Sequence, residues 1–101
     1  MKKRVLLLII ALTGLTACET APVRREDYIA QHPEWDPETV RLIRAGMIAK
    51  GMTKEQVRAA WGRRCYTCQG TKKGDWGESW EYRTQVVFFG PDGRVTRWEP
   101  K

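Results

Sequence analysis

Hydrophobic positions change their spacing along the chain. Val5 to Leu12 is an unbroken apolar run behind Met1-Lys2-Lys3-Arg4, and Gly14 and Leu15 extend it past Thr13. From Asp36 the spacing becomes helical. Asp36-Pro37-Glu38 supplies an N-cap, a first-turn proline and an acid, and Val40, Ile43 and Met47 recur on one face, with Gly46 at the end of the segment. Thr53-Lys54-Glu55-Gln56 has the spacing of a capping box, Val57, Ala60 and Trp61 form the stripe of a second helix, and Gly62 is placed to end it. The period then drops to two. Trp80, Tyr82 and Thr84 alternate with Glu81 and Arg83, and Gln85–Phe89 reads as a strand with both faces at least partly covered. Gly90-Pro91-Asp92-Gly93 is a hairpin turn leading to a last strand over Arg94–Trp98. Val95 and Trp98 fall on opposite faces of that strand unless a bulge re-aims one of them.

Helices followed by strands predict an α+β fold, two short helices packed on a three-stranded antiparallel sheet. Residues 34–101 form this domain. Residues 1–17 precede it as a leader and 18–33 as a tether, with a short helical stretch over Arg24–Gln31 that His32-Pro33 stops. Arg63 to Asp75 reads as a polar loop, with an edge strand near Cys65-Tyr66-Thr67.

The leader has the layout of a secretory signal peptide, and its apolar run is shorter than the roughly 20 residues that cross a bilayer. Leu15-Thr16-Ala17-Cys18 resembles a bacterial lipobox. That resemblance implies an acylated Cys18 as mature N-terminus and a membrane partner through the lipid. Glu19, where inner-membrane lipoproteins often carry Asp, directs the chain by analogy to the outer membrane, facing the periplasm.

Composition narrows the function. The 101 residues hold 18 Lys+Arg against 12 Asp+Glu, a net +6. Three of the positive residues are Lys2, Lys3 and Arg4, so the remainder carries 15 against 12, a net +3. A strongly basic nucleic-acid binder is not indicated. The chain has one His (His32), one Ser (Ser79) and no Asn, and His32 and Ser79 lie on distant segments of unlike character. A Ser-His-Asp site is not expected, nor is a Gly-rich phosphate loop present. A non-enzymatic protein without cofactor or metal is the expectation.

Cys65-Tyr66-Thr67-Cys68 is a C-x-x-C pair. In an oxidising compartment it reads as a disulfide that stiffens the turn after Gly62. The alternative is a thiol–disulfide redox site, although the pair follows a helix C-terminus, where the dipole does not favour a thiolate. Zinc needs about four ligands, and c-type haem attachment needs His after the second Cys, where Gln69 stands. Arg63, Arg64, Lys72 and Lys73 flank the same loop with Trp76 close behind, a candidate interaction surface for anionic headgroups or an acidic partner. A third possibility is a small binding or inhibitor module whose exposed sheet face carries Trp76, Trp80 or Tyr82.

Lys50-Gly51-Met52-Thr53-Lys54-Glu55-Gln56-Val57, followed by Ala60-Trp61-Gly62, resembles the GMT-x-x-QV-x-x-x-x-G stretch of the SmpA/OmlA (BamE-like) outer-membrane lipoproteins. The likeness continues through Trp80-Glu81-Tyr82, Val86–Phe89 and Gly93-Arg94-Val95, covering roughly Ile43 to Glu99. It implies a lipid-anchored accessory in outer-membrane assembly or envelope integrity, with the β-barrel assembly machinery as a possible envelope partner. The QGN-type segment of that family has no counterpart here, and Arg63 stands in the region where the family tends to have Pro, so no partner-binding residue carries over.

Overall fold

The computed structural model describes residues 20–63 and 72–101. The leader, Cys18, Arg64, Cys65, Cys68 and the strand expected near Cys65–Thr67 lie outside the described residues. Among the described residues the fold is α+β, with three helices before a four-stranded antiparallel meander. The prediction had one helix and one strand fewer.

The additional helix, α1, spans Ala21–Gln31. It starts three residues before the expected helical stretch because Thr20 caps it, accepting from the Val23 N–H at 3.4 Å. α2 spans Pro37–Arg44 and α3 spans Lys54–Trp61. Both begin where their caps predict. The Asp36 carboxylate accepts from Thr39 N–H, and Thr53 and Gln56 bond each other's backbones in a complete capping box.

Met47 departs from its predicted place on the buried face of α2. The helix ends at Arg44, Gly46 turns the chain at φ +73°, and Gly46 N–H and Met47 N–H donate back to the Ile43 and Leu42 carbonyls. That Schellman arrangement swings Met47 outward, and it is 52% exposed while Ile43 is fully buried.

α1 packs antiparallel on α3. Arg24 donates Nε to the Ala59 carbonyl and Nη2 to that of Ala60, and Arg25 donates Nε to Ala60, at 3.0–3.3 Å. These carbonyls lack intrahelical partners at a helix end, and the two guanidiniums also meet the negative end of the helix dipole. At the other end His32 Nε2 lies 3.8 Å from the Glu55 carboxylate. Residues 21–31 are therefore packed against the domain, although they fall within the segment read as a tether.

The sheet runs β1 (Lys72–Gly74), β2 (Gly77–Glu81), β3 (Gln85–Phe89) and β4 (Val95–Pro100), in that order across the sheet. β1 falls in the stretch predicted as loop. It is short and wholly exposed, with no apolar alternation to signal it. The helices cover one face. Trp80, Val87, Phe89 and Val95 pack there against Ile43, Ile48, Met52 and Val57. Full burial of a large apolar side chain contributes about 1.5–3 kcal/mol. A register shift between Phe88 and Phe89 leaves an extra residue in β4, so Phe89 pairs with Val95 while Val87 pairs with Trp98. The bulge thus puts Val95 and Trp98 on the same face.

The turns orient the molecule. Asp75-Trp76 and Pro91-Asp92 lie at one end of the meander and Arg83-Thr84 at the other. α3 runs between these ends. Its first residue, Lys54, ion-pairs with Glu78 at 2.7 Å, and Gly62 at its close accepts from the Tyr82 hydroxyl at 2.8 Å.

Candidate functional site

The face of the sheet away from the helices carries the candidate site. Antiparallel register aligns Lys72, Ser79, Phe88 and Arg97 in one row across all four strands. Successive strand residues point to opposite faces, so these four share the face away from the helices, where Ser79 is itself buried, while Trp80, Val87 and Phe89 serve the core.

Trp76 reaches this row from the β1–β2 turn. Its ring centroid is 6.4 Å from that of Phe88, tilted by 55°, and the residue is 50% exposed. The indole lies over Gly74, where a Cβ would come within 2.5 Å of Nε1, so glycine makes room for the ring. On the other side the Arg97 guanidinium sits 3.7 Å from the Phe88 ring centroid and donates Nη1 to Glu99 at 2.6 Å. This cation–π contact holds the guanidinium over an aromatic face. Thr96 Oγ1 donates to the Phe88 carbonyl at 3.1 Å. Trp76, Phe88, Phe89, Thr96 and Arg97 line an open groove of about 420 Å³. An aromatic floor edged by a guanidinium suits an extended or planar partner group with acidic or π character.

Beneath the sheet, charge supports the same end of the molecule. Glu78 lies on the helix side, accepting from Lys54 Nζ at 2.7 Å and from the Trp80 indole at 2.6 Å. Burial pushes its carboxyl upward, but the hydrogen bonds from Lys54 and Trp80 and the charges of Lys54 and Lys73 outweigh it, and the net shift is downward.

The predicted surface residues separate. Lys72 and Trp76 belong to the open face. Lys73 is paired opposite Glu78 and so belongs to the helix side. Arg63 follows Gly62 at the opposite end of the sheet from Trp76. Trp80 and Tyr82 are buried, so of the three aromatics considered for a binding module Trp76 alone lies on an exposed face. Phe88, Thr96 and Arg97 were not anticipated as site residues. The available signal was the hairpin turn at Gly90–Gly93, whose pairing brings β3 and β4 together; the bulge hides the register that sets Phe88 beside Arg97.

His32 stacks on Trp35 at 4.2 Å and lies 2.9 Å from the Glu34 carboxylate, on different elements from Ser79. Among the described residues no three His, Cys, Asp or Glu side chains cluster to hold a metal, and no helix is long and apolar enough to cross a membrane. No family model matches the chain, and no characterised protein or solved structure matches it either.

Proposed function

We propose that this chain is a lipid-anchored, periplasm-facing outer-membrane lipoprotein that acts without chemistry of its own, through protein–protein contact in envelope assembly. The observation that carries the contact reading is the open sheet face, where a half-exposed Trp76 packs on Phe88 and Arg97 lies over the same ring. Exposed aromatics of this kind, held in place by neighbours that do not need them for the core, are the usual anchors of a protein interface. The lipobox-like Leu15–Cys18 supports the anchor and the address, and the likeness of Lys50–Gly62 and the strands to SmpA/OmlA lipoproteins supports the assembly role. The β-barrel assembly machinery is the proposed partner.

The experiment is site-specific photo-crosslinking from position 88 in native outer membranes, followed by affinity recovery under low and high salt. Recovery of a β-barrel assembly component supports the proposal. Adducts with no envelope protein at either salt concentration defeat it.

A further inference from the structure

If Cys18 is acylated, the leash to the folded domain is very short. Only Glu19 and Thr20 separate Cys18 from the start of α1 at Ala21. A fully extended chain of that length spans about 11 Å. The headgroup layer on each side of a bilayer is itself about 5–7 Å deep. The first turn of α1 is thereby held at the membrane surface, not on a long flexible stalk.

The place where the leash enters the fold decides which end follows. Arg24 and Arg25, in the first turns of α1, bond the carbonyls that close α3, and the Tyr82 hydroxyl bonds Gly62 there. The start of α1, the end of α3 and the β2–β3 turn therefore lie together. This end presents Val23, which is 46% exposed, and the exposed residues Arg63 and Arg83; Glu81 and Glu99 lie there too, paired with Lys101 and Arg97. Neither Arg63 nor Arg83 forms an ion pair among the described residues. The far end shows Asp75 and Asp92 at its turn tips. Lys50 and Arg94 also lie there, Arg94 donating to the Gly51 carbonyl. β3 alone has five residues, about 17 Å of strand, so that end stands roughly two screening lengths further from the surface.

We infer that the α1 start, Arg63 and Arg83 form a membrane-facing surface that seats the domain on anionic lipid headgroups and points Trp76 and the open groove away from the bilayer. Val23 enters the headgroup layer, and the two guanidiniums meet lipid phosphates as forked donors. The inference rests on the reading of Cys18 as the acylated terminus.

The test uses the native acylated chain, isotope-labelled, in nanodiscs of phosphatidylcholine and phosphatidylglycerol containing a trace of gadolinium-chelating lipid. Amide signals of Val23, Arg63 and Arg83 are expected to broaden several-fold more than those of Asp75 and Asp92. Charge reversal in R63E/R83E, at two exposed positions without ion partners among the described residues, is expected to shrink that difference. Uniform broadening, stronger broadening at Asp75 and Asp92, or no effect of the charge reversal overturns the inference. Mass analysis of the same preparation separates the two readings. An unmodified Cys18 overturns both, whereas an acylated Cys18 with uniform broadening overturns only the seating of the domain.

Discussion

The Tyr82 hydroxyl donates a 2.8 Å hydrogen bond to the Gly62 carbonyl, joining the end of β2 to the end of α3 across the core. The Trp61 ring meets Tyr82 edge-on at 5.4 Å and donates its own N–H to the Gly46 carbonyl at 2.9 Å. Two aromatic side chains thus close three elements at one corner. Tyr82→Phe leaves the buried carbonyl without this donor while keeping the ring. The expected loss is about 1–2 kcal/mol of unfolding free energy, measured by urea denaturation. An unchanged midpoint would show that the corner is held by packing alone.

The guanidiniums of Arg24 and Arg25 make α1 part of the folded unit. R24A/R25A removes three charge-assisted bonds to α3, and a loss of about 2–3 kcal/mol is expected by the same measurement. A chain begun at Glu34 should be destabilised at least as much relative to one begun at Glu19. Equal stability of those two chains would return α1 to the role of a passive tether.

Two glycines with positive φ should respond differently to alanine. Gly77 has φ +131°, and a Cβ there would fall 1.9 Å from the Phe89 carbonyl oxygen. Gly77→Ala combines backbone strain with a clash against the neighbouring strand and should cost about 3 kcal/mol or prevent folding. Gly51 has φ +89° with nothing within 4 Å of a Cβ, so Gly51→Ala should cost only the backbone term, about 1–2 kcal/mol. Thermal melts of the pair decide it, and a Gly77→Ala melt like that of Gly51→Ala would contradict the clash.

Acid should weaken the fold through Glu78. Its carboxyl is held below the ordinary 4.5 in the folded state, so the unfolded chain takes up its proton first as pH falls. The stability it contributes is complete well above pH 4.5 and drains away below that value, through the lowered folded pKa. Glu78→Gln should flatten stability against pH in that acid window relative to the parent, as read from urea midpoints at several pH values. Parallel curves for the two chains would rule out this linkage.

Trp76 tests the open face without touching the core. Trp76→Ala removes a half-exposed ring and should change unfolding free energy by less than about 1 kcal/mol. As an interface anchor its loss should weaken partner capture by about 30-fold or more. Full capture at unchanged stability would move the contact elsewhere.

The helix starts were readable because caps act locally. Asp36 with Pro37, and Thr53 with Gln56, satisfy backbone groups within four residues of themselves, so their spacing alone carries the signal. Gln85–Phe89 was legible as an apolar run before the hairpin turn at Gly90–Gly93, but the alternation read over Trp80–Thr84 only overlaps the strand Gly77–Glu81, because Arg83 and Thr84 form the turn to the next strand. β1 was not, since it owes its place to pairing with β2 instead of to any burial of its own. The N-terminal helix was underestimated because its stability comes from Arg24 and Arg25 reaching a helix end some 35 residues away in sequence.

By itself, the sequence determined the local devices: where the chain caps, turns and alternates, and hence an α+β class. Only the tertiary structure decided which face of the sheet the helices cover, and with it that Trp80 and Tyr82 are core while Trp76, Phe88 and Arg97 meet solvent. Caps and periods act over a turn or a strand. The choice of face depends on strand register and a single bulged residue, and those are settled only when distant segments pack together.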